Sequence, residues 1–151
     1  MENKTIIRIK VWLWRFWAFF YFSLIIYVVF LASRRPSPTL GEASAPPNFS
    51  PFGRKWFGYT HGWNTSDLYL DLFGNIVMFI PYALFLYIAF NVRSYWVILF
   101  SAFSFSLFIE STQYFTGIGY ADIDDLICNT LGALIGILVI DGVKLTRYAK
   151  K

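Results

Sequence analysis

Charged residues are so sparse along this chain that four apolar runs stand out between them. Phe16–Ser33 (18 residues), Leu72–Val92 (21), Ser94–Ile109 (16) and Leu126–Ile140 (15) contain no Asp, Glu, Lys or Arg. A helix needs about 20 apolar residues to cross a bilayer, within a range of about 17–25. The first two runs meet this directly. The other two meet it if Glu110 and Asp125 lie among headgroups or inside a helix bundle. The runs are too long and too continuous for strands, and open sheet edges are not viable in lipid. The pattern predicts an all-α integral membrane protein, one domain with a bundle of four transmembrane helices. Roughly, these occupy 14–33, 70–91, 94–112 and 124–141, joined by a loop over 34–66.

Composition narrows the class further. The chain is 57% hydrophobic and 15% charged, against roughly 45–50% and about 25% in soluble domains. That excludes disorder and leaves too little charge for a soluble surface. A single cysteine, Cys128, excludes a disulfide scaffold within the chain. The first run follows Lys4, Arg8 and Lys10, as in a signal peptide. Its apolar stretch exceeds the usual length of about 7–15 residues, however, and no small-x-small site follows before Arg34, so a retained helix is the preferred reading.

The basic residues set the orientation. Nine of thirteen precede the first run, lie between the second and third (Arg93), or follow the fourth; Arg34, Arg35, Arg54 and Lys55 fall on the other side. The positive-inside bias places both termini in the cytoplasm and the 34–66 loop outside. The net charge of +4 reflects this asymmetry and not a nucleic-acid surface, since no soluble face carries a basic stripe. The loop's first half holds five of the six prolines and reads as an extended connection. Its second half carries Trp56, Phe57, Tyr59 and Trp63 and is expected to lie back on the membrane–water boundary. His61 is the only histidine and lacks companions for a zinc site.

Polar residues interrupt the apolar ends in register. Asp71 and Asn75, Glu110 and Gln113, and the series Asp122, Asp125, Asn129 are each spaced by three or four, on one helix face apiece. Given the orientation, all three sets fall at the outer ends of their spans. The expectation is an acidic and amide pocket open to the outer leaflet. The fourth-span stripe continues through Gly132 and Gly136, a Gly-x-x-x-Gly step that allows close helix approach. Pro81 is expected to bend the second span, either widening the pocket or only adjusting packing. Asp also caps helix N-termini, and capping is the preferred reading for Asp124. For Glu110 and Asp125 a functional role is preferred, because intramembrane acids mark functional sites; these two are the candidate catalytic groups. Cys128 reads as a small packing residue.

Asp71–Pro81 (DLFGNIVMFIP), Glu110–Gln113 (ESTQ) and Ala121–Gly136 (ADIDDLICNTLGALIG) together, in this order, resemble the VanZ-like family of small bacterial membrane proteins over about residues 67–140. Relatives often carry a Gly after the second-span proline, where this chain has Tyr82, and an Arg shortly before the first acid of the third motif. No Arg lies between Gln113 and Asp122 here. The resemblance implies a bacterial inner-membrane location, and the family's namesake is associated with resistance to the glycopeptide teicoplanin. It supplies no molecular mechanism.

Three functions compete. The pocket could bind or handle a lipid-linked cell-envelope precursor, its amides and acids holding sugar hydroxyls or peptide amides. A phosphate would be repelled unless a divalent cation bridged it, and oxygen-only ligands suit Mg²⁺ or Ca²⁺. Alternatively Glu110 and Asp125 form an acid–base or metal-holding pair of a membrane enzyme. In a third reading the polar stripe serves only helix packing in a structural or assembly protein. A transporter would need to oligomerise, since four spans are few.

Overall fold

The computed structural model describes residues 4–31, 47–117 and 121–149. Helix α1 (Lys4–Ile26) continues through a π-helical turn (Tyr27–Leu31). It is followed by a short α2 (Gly53–Thr60) and by the long helices α3 (Thr65–Ile88), α4 (Tyr95–Thr116) and α5 (Ile123–Ala149). Four stretches are long and apolar enough to cross a membrane: Thr5–Phe30, Thr65–Ile88, Tyr95–Thr116 and Ile123–Lys144. Four long helices were expected from the apolar runs; the fifth, α2, was not. Its sequence GRKWFGYT contains two glycines and no apolar run. The Pro-rich half of the loop falls largely outside the described residues.

The long helices begin where the local chemistry permits. The Asn64 carboxamide oxygen accepts from the Ser66 N–H to start α3, and the Ser94 hydroxyl accepts from the Val97 N–H to start α4. Gly117 ends α4 at φ 67, a left-handed cap that glycine adopts without steric cost. Helix α3 continues through Pro81.

Cross-helix contacts give the directions. An added Cβ on Gly132 would overlap the Ile76 carbonyl, and one on Gly136 would overlap that of Ile80. Both numbers rise together, so α3 and α5 run parallel with their backbones in near contact. Tyr82 donates to the Ser101 hydroxyl at 3.3 Å, and Asn129 donates to that of Ser106 at 2.9 Å; α4 is antiparallel to both. Arg15 Nε donates to the Ala89 carbonyl at 3.2 Å, and the Tyr21 hydroxyl to the Met78 carbonyl at 2.6 Å, so α1 is antiparallel to α3. The bundle thus has a loop end, near α2, and a hairpin end, near the α3–α4 connection.

Apolar side chains gain little by leaving lipid for one another, so packing detail and polar links hold such bundles together. Here Phe22 meets Tyr82 edge-on, and Tyr82 stacks on Phe79 and Phe105. Ile25, Ala102, Ile109 and Ala133 complete this buried cluster. A second cluster, Ala83, Ile98, Ile137 and Ile140, lies toward the hairpin end. The outer surface is itself apolar: Trp12, Phe19, Trp96 and Phe100 are each at least 66% exposed. A soluble monomer would not display so much contiguous apolar area, and a bilayer is the solvent that suits it.

Candidate functional site

The first turn of α5 is built to gather polar groups. Asp122 caps it: its Oδ1 accepts from the Asp124 N–H at 3.0 Å, and its carbonyl accepts from the Asp125 N–H at 3.2 Å. The capping role assigned by sequence to Asp124 therefore belongs to Asp122. Asp124 is fully buried and reaches across the chain instead. Its Oδ1 accepts from the Phe52 N–H at 2.6 Å, and its Oδ2 lies 3.3 Å from Lys55 Nζ. Glu110, near the end of α4, accepts from the Asp122 N–H at 2.8 Å. Two of the three acid-bearing segments are thereby joined directly.

The third joins through Lys55. Its ammonium stands 3.2 Å from Asp71, 3.5 Å from Asp122, 3.3 Å from Asp124 and 3.6 Å from Asp125. The side chain is only 12% exposed. Burial by itself would depress the lysine pKa. The carboxylates of Asp125, Asp71, Asp122 and Asp124 outweigh it and hold the ammonium above lysine's ordinary value. In the sequence Lys55 registered only as one of four basic residues in the loop. The signal that could have found it is the acids themselves, since buried carboxylates gathered from several segments need a cation. No Arg lies between Gln113 and Asp122 in this chain, and the loop supplies the positive charge through Lys55.

The segment carrying Lys55 is strapped across the start of α5. Asn48 pairs with Asp122 in a two-residue parallel bridge: the Asn48 N–H donates to the Ala121 carbonyl at 2.9 Å, and the Ile123 N–H to the Asn48 carbonyl at 3.1 Å. Asn48 Nδ2 also donates to Asp122 Oδ1 at 3.0 Å. Phe52 then adopts φ 56, a left-handed conformation uncommon for an aromatic residue. That turn aims its N–H at Asp124 and starts α2, whose buried Gly58 packs under Trp63. Trp56, Phe57 and Tyr59 on α2 are each more than half exposed.

One helical turn deeper lies an amide layer. Asn75 follows Asp71, and Asn129 follows Asp125, each by four residues. Asn129 Nδ2 is bound to Ser106; Gln113, on the antiparallel α4, lies instead toward the loop end, where its Nε2 donates to the Val29 carbonyl at 3.2 Å. Asn75 Nδ2, Gln113 Oε1 and Asn129 Oδ1 are buried without a hydrogen-bond partner. The Gly132–Ile76 contact closes the α3–α5 interface just below. Cys128 is buried beside this layer. Among the described residues no group of three or more His, Cys, Asp and Glu is placed to hold a metal ion; the cation among these carboxylates is the tethered ammonium of Lys55.

Chemically the arrangement offers acceptors for ammonium and hydroxyl groups at the loop end, and both donors and acceptors in the layer beneath. A family model described as VanZ/LLP1 matches residues 17–144 of the chain. No curated protein and no solved structure shows a match.

Proposed function

The chain belongs to the VanZ/LLP1 family, and from that premise we propose that it binds the polar part of a lipid-linked cell-envelope precursor at the outer face of a bacterial cytoplasmic membrane. In this reading both termini are cytoplasmic and the loop end faces outward. The supporting charge pattern lies at the hairpin end. There the Arg93 guanidinium sits 4.2 Å from the Tyr87 ring, and Lys144 sits 4.6 Å from the same ring, with Arg15 anchored at Ala89. Basic groups gather on the cytoplasmic side of membrane proteins.

The observation that carries the proposal is the unpartnered amide layer. Buried polar atoms in folded proteins almost always find partners. Here a donor on Asn75 and an acceptor on Asn129 extend the two faces that converge on Lys55. Hydroxyls or amides of a carbohydrate or peptide headgroup match both. In nanodiscs, native mass spectrometry is expected to show a lipid-linked disaccharide-peptide retained by the wild type. Retention should fall at least about tenfold when Asn75 and Asn129 are both changed to Ala, the equivalent of one or two lost hydrogen bonds. Equal retention by the double variant would remove the basis for the proposal. Growth and teicoplanin susceptibility of a deletion strain complemented with wild type, Glu110→Ala or Asp125→Ala would show whether the site serves the envelope.

A second, structural reading draws on the ion pairs themselves, which tie α2, α3 and α5 together. It expects Lys55 and Asp124 variants to lose folding in proportion to function. The binding reading expects Asn75 and Asn129 variants to lose retention while folding normally.

A further inference from the structure

We infer that the four-carboxylate cluster is a receptor for a primary ammonium group, and that Lys55 fills it until a ligand's own amine takes its place. The inference rests on the headgroup-binding reading and names the group that such a ligand presents.

Four carboxylates, Asp71 on α3, Asp122 capping α5, and Asp124 and Asp125 in its first turn, surround Nζ at 3.2–3.6 Å. A compact ammonium with three donors fits this arrangement; a planar guanidinium would need paired, coplanar acceptors. Lys55 arrives from outside the long helices, on a strap fixed by the Asn48 bridge and the Phe52–Asp124 bond. The strap contains one strained residue, Phe52. Asp71 is 35% exposed, so the cluster has an open flank beside the strap. The independent sign of a ligand lies one turn below: Asn129 is 98% buried, its Oδ1 has no hydrogen-bond partner, and Asn75 Nδ2 is likewise unmatched. Asn75 and Asn129 continue the Asp71 and Asp125 faces one helical turn deeper, where the unmatched donor and acceptor remain for a ligand. A ligand amine entering from the Asp71 side would displace Lys55 toward solvent, where its charge can meet a phosphate on the same ligand.

The test uses full-length protein in nanodiscs of phosphatidylglycerol, a lipid that carries no amine. In Lys55→Ala the thermal midpoint should fall, and n-propylammonium chloride should restore it saturably; sodium chloride at equal concentration should not. Absence of any difference between the two salts would overturn the inference. In the wild type, native mass spectrometry compares retention of added phosphatidylethanolamine with its N-acetylated form. Preference for the free amine by at least about tenfold, near 1.4 kcal/mol, is expected, and equal retention would again overturn it. If Lys55→Ala does not fold, this wild-type comparison decides alone. The same comparison on a lipid-linked disaccharide-peptide separates the two proposals. Equal binding of its amine and acetylated forms defeats the ammonium receptor and leaves headgroup binding intact. Binding of neither, alongside amine rescue of Lys55→Ala, defeats headgroup binding and leaves the ammonium receptor.

Discussion

A lysine set among aspartates keeps its proton under conditions that would discharge a free one. The pKa of Lys55 is raised in the folded protein, so its stabilising contribution is fully present below the ordinary lysine value near 10.4 and fades only as pH climbs through the folded value. Lys55→Met is expected to lower stability by about 3–5 kcal/mol, because it leaves buried carboxylates without their counter-ion. The difference between variant and wild type should stay constant from about pH 7 to about pH 10, measured by denaturation in detergent. A difference that shrinks across that range would mean the ammonium is not held this way. At Phe52 the backbone is the strained part, and a non-glycine residue in the left-handed region costs roughly 1–2 kcal/mol. Phe52→Gly should therefore raise the thermal midpoint while preserving the N–H donated to Asp124. At this scale Asp71, Glu110 and Asp125 were legible in the sequence, because spacing by three and four assigns residues to faces. Lys55 and Asp124 were not. Lys55 comes from a segment with no periodicity, and Asp124 falls outside the three-and-four stripe even though it is the most deeply buried acid of the cluster.

At the scale of elements, the α3–α5 contact depends on missing side chains. Adding a methyl group at Gly132 forces a shift against the Ile76 carbonyl, which is backbone and cannot rotate away. Gly132→Ala is expected to cost about 1–3 kcal/mol by overpacking. Gly142, on the same helix, has nothing near its Cβ position. Gly142→Ala should be neutral or gain up to about 1 kcal/mol from helix propensity. Equal effects at the two sites, in parallel thermal melts, would deny the close approach. The long helices follow from their charge-free runs, since only a helix satisfies its own backbone in lipid. Helix α2 and the Asn48 bridge do not. Eight residues with two glycines carry no helical period, and a two-residue pairing with Asp122 leaves no local mark in either segment.

For the whole molecule, the distribution of charge separates two ends that share a fold but not a chemistry. One gathers aspartates on an ammonium; the other stacks Arg93 and Lys144 against Tyr87. In a Cys128→Ser background, a cysteine placed at Trp56 should react with a membrane-impermeant maleimide in intact spheroplasts. One placed at Arg93 should react only after permeabilisation. The reverse pattern would invert the proposed orientation. The general architecture was legible because hydropathy alone separates lipid-facing stretches from the rest. What joins the ends of the helices was not, because those contacts link residues far apart in the chain.

That separation in sequence has a consequence for how the protein is made. Phe52 and Lys55 lie 72 and 69 residues ahead of the Asp124 they bind. Chains emerge from synthesis N-terminal part first, so Lys55 is delivered long before most of its partners. Of the four carboxylates it finally holds, only Asp71 is nearby, sixteen residues later. A nascent chain halted after α4 would present Lys55 with one acid in place of four, and with no α5 for the strap to pair with. Completion of the cluster thus reports that the last helix has arrived beside α3. Chain length at first protection of the Asn48–Lys55 strap from protease would time that event during biogenesis.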